Sequence, residues 1–209
     1  MAEYTAVYEA AAAVVELLRS EMTPEPISKP ELIGLCPPFE PEDFQLTVHL
    51  YHLEEESFRN EPSFGYRQEG FEAQRFAPLP LNLHLIVTAH SKAPVLTRAA
   101  DEQRLLGRAM QVIRDHPDLT PYLSGSIAGA QEPVRLMLEK ALPADQLMRI
   151  WSGANKPYKL SFGCMVNTVL IDSERTRTVA RVRSVRITRR IRQNDPDQCI
   201  ACPESVRGI

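Results

Sequence analysis

Glycine is scarce in this chain, nine residues in 209 against 17 prolines, and none of the nine belongs to a glycine-rich phosphate loop. That excludes the backbone cradle on which phosphate-binding motifs depend. The stretch from Gly125 to Gly129, GSIAG, has the wrong spacing for the strained G-x-S-x-G turn that presents a nucleophilic serine. Cysteine is also sparse. Cys36, Cys164, Cys199 and Cys202 cannot frame a disulfide scaffold in a chain this long, which fits synthesis in a reducing cytoplasm. No apolar run approaches the roughly 20 residues of a spanning helix. The longest, Leu79–Ala89, is broken by Asn82 and His84. Glu3 and Glu9 stand where a secretion signal would be basic, and Glu16 interrupts the apolar run behind them.

What the chain does have is patterned apolar sequence and polarised charge. The hydrophobic share of 44% and charged share of 24% suit one folded domain with a core, with or without an arm. Residues 1–74 carry 15 acidic against 4 basic side chains, a net of −11, whereas residues 75–209 carry 12 against 20, a net of +8. Opposite charges on opposite edges favour head-to-tail pairing between copies, although for any single charge solvated surface is the better reading.

Tyr4, Val7, Tyr8, Ala11, Val14, Val15 and Leu18 recur with the i, i+3, i+4 spacing of an amphipathic helix over residues 2–20. Six prolines in Thr23–Pro41 predict a largely extended segment. Phe44, Leu46, Val48 and Leu50 alternate with polar neighbours, the period of a strand with one buried face. Glu54–Arg75 reads as a long polar loop, and Leu81–Ala89 as a central strand. Thr97–Asp115 is the clearest helix, with Leu105, Leu106, Ala109, Met110 and Ile113 as its stripe and His116-Pro117 as its stop. Gly107 within it costs about 1 kcal/mol against alanine, which predicts a close backbone neighbour. Tyr122–Gln131 reads as a loop, Pro133–Leu138 as a short strand and Ala144–Trp151 as a short helix. Leu160–Ile171 and Thr178–Ile191 read as strands joined by a turn. This mixture predicts an α+β fold, a mostly antiparallel sheet with helices on one face, over residues 1–174. Residues 175–209 form an Arg-rich edge strand and polar tail.

Candidate chemistry is thin, and no catalytic residue, cofactor site or metal site is expected. His49 and His52, three apart on one strand, should face opposite ways. Cys199 and Cys202 form a C-x-x-C without a second pair or a downstream histidine, so they lack the donor set of a zinc site. They also lie in a polar tail rather than at the helix start of a redox fold. The arginines form the one dense constellation. Arg175, Arg177, Arg181, Arg183, Arg186, Arg189, Arg190 and Arg192 occur in a stretch without Asp or Glu. Such residues on an edge strand block unwanted pairing. They also suit an acidic partner, and the absence of interleaved aromatics favours protein over nucleic acid. Arg177, Arg181, Arg183, Arg186, Arg189 and Arg190 are therefore the candidate protein-interface residues.

The order and spacing of these pieces resemble a known family. They are the N-terminal helix, LTVHLYHL with its acidic continuation containing Arg59-Asn60, PLPLNLHLIVTAHS, LLGRAM with its HP stop, the helix ending in Trp151, and YKLSFGCMVNTVLID. Over residues 4–172 the chain is similar to the cap, or tail-terminator, proteins of phage-tail-like contractile injection systems, of the virulence-cassette and antifeeding-prophage type. The resemblance implies a non-enzymatic, homohexameric ring at the distal end of the inner tube, touching the last sheath layer and so fixing particle length. Its partners would be itself, the tube protein and the sheath protein, with no nucleic acid and no membrane insertion. It would be cytoplasmic during assembly and afterwards sit at the end of the particle. A basic nucleic-acid-binding module and a small hydrolase are the alternatives. Salt-sensitive DNA binding would mark the first, and a deep polar pocket with perturbed titrating groups the second.

Overall fold

The computed structural model describes residues 2–56, 66–69, 73–129, 133–139 and 144–178, all within one compact unit, Met1–Val179. Its elements run α1 (Ala6–Met22), β1 (Ile33–Leu35), β2 (Leu46–Glu55), β3 (Tyr66–Glu69), β4 (Ala73–Phe76), β5 (Leu79–Ala89), α2 (Val95–Asp115), β6 (Arg135–Leu138), α3 (Ala144–Gly153), β7 (Ser161–Ile171) and β8 (Thr176–Thr178). The α+β expectation holds. Five strands form one sheet in the order β1-β2-β5-β7-β6, antiparallel except where β1 pairs parallel with β2. A second sheet, β3-β4-β8, is antiparallel throughout.

Alternation along the strands sends Leu46 and Val48 of β2, Leu81, Leu83, Leu85 and Val87 of β5, and Cys164 and Val166 of β7 into one core. Helices α1 and α2 cover that face, and α1 is the more deeply sunk. Ala6, Ala10, Ala11, Ala13, Val14, Val15, Leu17, Leu18 and Met22 are all buried. Small alanines over its first half let α1 approach the sheet closely, and larger side chains fill its second half. This corrects the expected stripe, because Tyr4 and Tyr8 are 82% and 68% exposed. In α2 the buried residues begin at Leu105, and Met110 is turned outward while Val112 takes the inward position. On the opposite sheet face Ile86 is buried, and Leu147 and Trp151 of α3 are buried apart from the main core.

Three further expectations change. The proline-rich segment is not largely extended: it makes turns over residues 23–28 and a 3₁₀ turn at Pro30–Leu32 before β1. The polar stretch 54–75 contributes the ends of β2 and the strands β3 and β4. No backbone packs against Gly107, where an added Cβ would meet nothing within 4 Å. Gly34 does need its small size, since a Cβ there would lie 2.5 Å from the Phe44 ring.

At the outer edges of the main sheet, β6 is paired with backbone and one carbonyl of β1 is capped. At β1, Arg19 of α1 donates from Nε and Nη2 to the carbonyl of Ile33, at 3.0 and 2.8 Å. At β6, the backbone of residues 117–119 runs alongside. Leu136 N–H donates to Pro117 and Leu119 N–H to Val134, and Asp118 bridges to Arg135. A second clamp holds the start of α1. Glu9 accepts from Thr5 Oγ1 at 2.7 Å, Ser126 Oγ at 2.8 Å and Ile127 N–H at 3.1 Å. Gly125, at φ 70°, leaves no room for a Cβ beside this carboxylate.

Candidate functional site

The sheet face away from α1 and α2 carries the buried polar side chains. Toward one end, His90 lies between Thr47 and Lys159, with Nε2 3.1 Å from Thr47 Oγ1 and Nδ1 3.3 Å from Lys159 Nζ. Lys159 in turn meets Glu102 Oε1 at 3.0 Å. Burial first, and the Lys159 ammonium second, push the His90 imidazole down to about 4, with Glu102 opposing weakly. A histidine held neutral in this way is a packing and hydrogen-bonding group, not a proton shuttle near neutral pH. Beside it Thr88 Oγ1 and Ser161 Oγ are 2.8 Å apart, and Ser161 donates to the Lys159 carbonyl. The arrangement supplies hydroxyls, but the neighbouring base is not placed on either of them.

Toward the other end, a bulge on β2 changes the expected geometry. The register with β5 slips between Leu50 and His52, so Tyr51 is the extra residue. Tyr51 and His52 then both approach His84, with ring centroids at 6.1 and 5.2 Å. The expectation that the β2 histidines diverge rested on an unbroken period of two, which the bulge removes. Glu139, just past β6, accepts from Tyr51 OH at 2.9 Å and lies 3.2 Å from His84 Nδ1. Burial and this carboxylate raise the Tyr51 phenol. His52, Glu54 and His84 bring their ligand-capable atoms within 4.8 Å of one another. Burial, then Glu139, push the nearby Cys164 thiol up to about 12, which leaves it unreactive.

Among the described residues, a depression of about 500 Å³ is lined by Phe39, Glu40, Ile150, Gly153, Ala154 and Lys156. It is wide open and combines one carboxylate and one ammonium with apolar walls, without a nucleophile and its base. The exposed surface is more telling. Val95 and Leu96 are 78% and 97% exposed at the start of α2, and Tyr4 and Tyr8 stand out from α1. Helical periodicity misses these positions because it reports where apolar residues lie, not which face meets the core.

Of the candidate arginines, Arg177 lies on β8, opposite Gln74 of β4. Arg181, Arg183, Arg186, Arg189 and Arg190 fall outside the described residues, as do Cys199, Cys202 and the strand expected beyond Thr178. Arg175, at the entry to β8, places its guanidinium 4.6 Å from the centroid of the Phe76 ring. This cation–π contact anchors the beginning of the basic segment to the small sheet. Among the described residues, no helix is long and apolar enough to cross a membrane.

A family model described as the Pvc16 N-terminal domain matches residues 9–184. The chain belongs to this family. Among solved structures, it is similar to the sheath/tube terminator of the extracellular contractile injection system PVC, in its extended state. That match has 13% identity and a TM-score of 0.59, and covers 90% of this chain and 64% of the other. It is also similar to the tube-terminating cap of the anti-feeding prophage, at 16% identity and a TM-score of 0.54, covering 84% of this chain and 58% of that one. At such identities the likeness establishes the fold, and the chain spans under two thirds of either relative. Compared with curated protein sequences, the chain has no match.

Proposed function

We propose that this Pvc16-type domain acts as a cap that terminates the inner tube of a contractile injection particle. The observation that carries this reading is the coincidence of the family match over residues 9–184 with a fold shared by two terminators. The role is structural. A stack of identical rings presents the same adhesive face at every layer, so growth has no intrinsic end. A terminator must match that face on one side and offer no equivalent on the other. The backbone paired along β6 and the capped carbonyl of β1 suit the second requirement. The exposed apolar residues at the starts of α1 and α2 suit the first, since ring contacts would cover them.

The domain takes the sixfold symmetry of the tube and forms a homohexamer through heterologous contacts, with acidic and basic halves of the chain meeting across them. It touches the last sheath layer, assembles in the cytoplasm and remains at the distal end of the particle. The basic strip of Arg177, Arg181, Arg183, Arg186, Arg189 and Arg190 recognises an acidic protein surface there. Removal of a capped end from the disassembly equilibrium stabilises the particle by mass action.

Electron microscopy of particles from a strain lacking the protein tests this. Tubes and sheaths are expected to vary in length or to fall apart. Stable particles with a length distribution as narrow as the wild type would show that something else ends the tube.

A further inference from the structure

On the sheet face opposite the main core, His52 and Glu54 stand two residues apart on β2, which puts them on one face of the strand. Beyond the Tyr51 bulge, His52 is directly opposite His84 of β5. Two imidazoles and a carboxylate therefore share a single patch of sheet, and their ligand-capable atoms lie within 4.8 Å of one another. A chance surface grouping would leave all three solvated. Here His84 is 9% exposed, while His52 and Glu54 are exposed.

The surroundings fix the His84 ring. Glu139 lies 3.2 Å from Nδ1 and receives the Tyr51 hydroxyl on its other oxygen, so the carboxylate accepts on both sides. Nδ1 must then be a donor, and in the neutral ring Nε2 carries the lone pair. That Nε2 is buried without a hydrogen-bond partner among the described residues. It faces Glu54 Oε2 at 3.4 Å, close enough to interact but without hydrogen-bond geometry. A lone pair aimed at a carboxylate oxygen is repulsive, and a cation between them would turn the repulsion into two bonds. A carboxylate on the far ring nitrogen is also the usual arrangement behind a metal-ligating histidine. It sets the tautomer and raises ligand basicity.

We propose that His52, Glu54 and His84 bind a divalent zinc ion, with Glu139 and Tyr51 as positioning residues. Two imidazole nitrogens and one carboxylate oxygen match zinc and not magnesium or calcium, which take oxygen donors. Tetrahedral zinc at about 2.1 Å from each donor puts donor atoms roughly 3.4 Å apart. The present spread closes to that by rotation of the exposed His52 and Glu54 side chains around the fixed His84. The fourth position faces water. The ion would clip the outer half of β2 to β5 beyond the bulge, where the ladder is interrupted.

The test uses the tag-free full chain carrying Cys199→Ser and Cys202→Ser, so that tail thiols cannot supply the zinc signal. After equilibration with zinc and gel filtration, about one ion per chain is expected by elemental analysis. His52→Ala and Glu54→Gln change exposed residues and should fold normally. Each should weaken zinc binding at least tenfold in calorimetry and abolish the zinc-dependent rise in Tm. Glu139→Gln should weaken binding about 10- to 100-fold and alter the visible spectrum of the cobalt-substituted protein, a readout that simple destabilisation would not move. Absence of retained zinc in the Cys-to-Ser chain would overturn the proposal. So would equal zinc retention by a folded His52→Ala/Glu54→Gln double variant.

Discussion

On the outer side of α2, a Cβ at Gly107 would enter open space, and the helix runs through the position without interruption. Gly107→Ala should therefore stabilise the protein by about 1 kcal/mol, the helix-propensity difference. Chemical denaturation should show a higher midpoint at unchanged m-value. Sequence alone suggested the opposite sign of importance, because a glycine that serves no neighbour looks the same as one that does. His90 gives a second prediction. Burial and Lys159 lower its folded value to about 4, whereas the unfolded chain protonates near 6.5. Between those values the unfolded state binds more protons, so stability falls as pH drops from about 6.5 to 4 and is flat above that window. Unfolding free energies measured across this range should fall with acid in the wild type, and the slope should shrink in His90→Gln. Burial raises the Glu9 carboxyl, but the hydrogen bonds from Thr5, Ser126 and Ile127 outweigh it and hold the group below the ordinary glutamate value. Its contribution survives further into acid and is lost as pH falls through that lowered value.

At the scale of elements, α2 divides in two. Before Leu105 none of its side chains is buried, and from Leu105 to Ile113 the helix is fixed by the core. A helix segment held by polar contacts such as that of Glu102 with Lys159, and not by a buried apolar face, is the less stable part, since most helical stability in proteins comes from a buried face. Amides of residues 97–104 should exchange with deuterium much faster than those of 105–115 in the isolated protein. Equal protection across the helix would show that its first half is held by something beyond the described contacts. The long elements were legible in the sequence because each repeats its pattern several times: β5 and β7 lie within two residues of expectation, and α2 within two. The short ones were not. β1 has three residues and owes its existence to parallel pairing with Leu46, Thr47 and Val48, a long-range fact. β3 and β4 are hidden in polar sequence because their partners, not their composition, make them strands. The grouping of His52, Glu54 and His84 depends on a one-residue bulge and a cross-strand register, neither of which leaves a local signature. The orientation of α1 was lost for a related reason, since its alanines form a closer packing face than its tyrosines.

For the whole molecule, the charge imbalance between residues 1–74 and 75–209 becomes a prediction about assembly. Replacing Arg181, Arg183, Arg186 and Arg190 together by glutamate should leave the thermal unfolding of the compact unit Met1–Val179 nearly unchanged, since none of the four belongs to it. Incorporation into particles should drop sharply, because charge reversal at a desolvated contact costs several kcal/mol. Normal incorporation of the quadruple variant would reduce the strip to a guard against stray strand pairing. The body that carries this strip also has a particular way of bearing load. Ala2 donates its N–H to the Asp172 carboxylate at 3.0 Å, and Asp172 returns its own N–H to the Ala2 carbonyl at 2.9 Å. Ala2 and Asp172, 170 residues apart in the chain, are therefore held side by side. Tension between those two points would be met first by this pair of hydrogen bonds, like a buckle, before it reached the sheet. Under load the buckle would yield ahead of the core, and Asp172→Ala should lower the first rupture force in single-molecule stretching between residues 2 and 172 while leaving the later one unchanged.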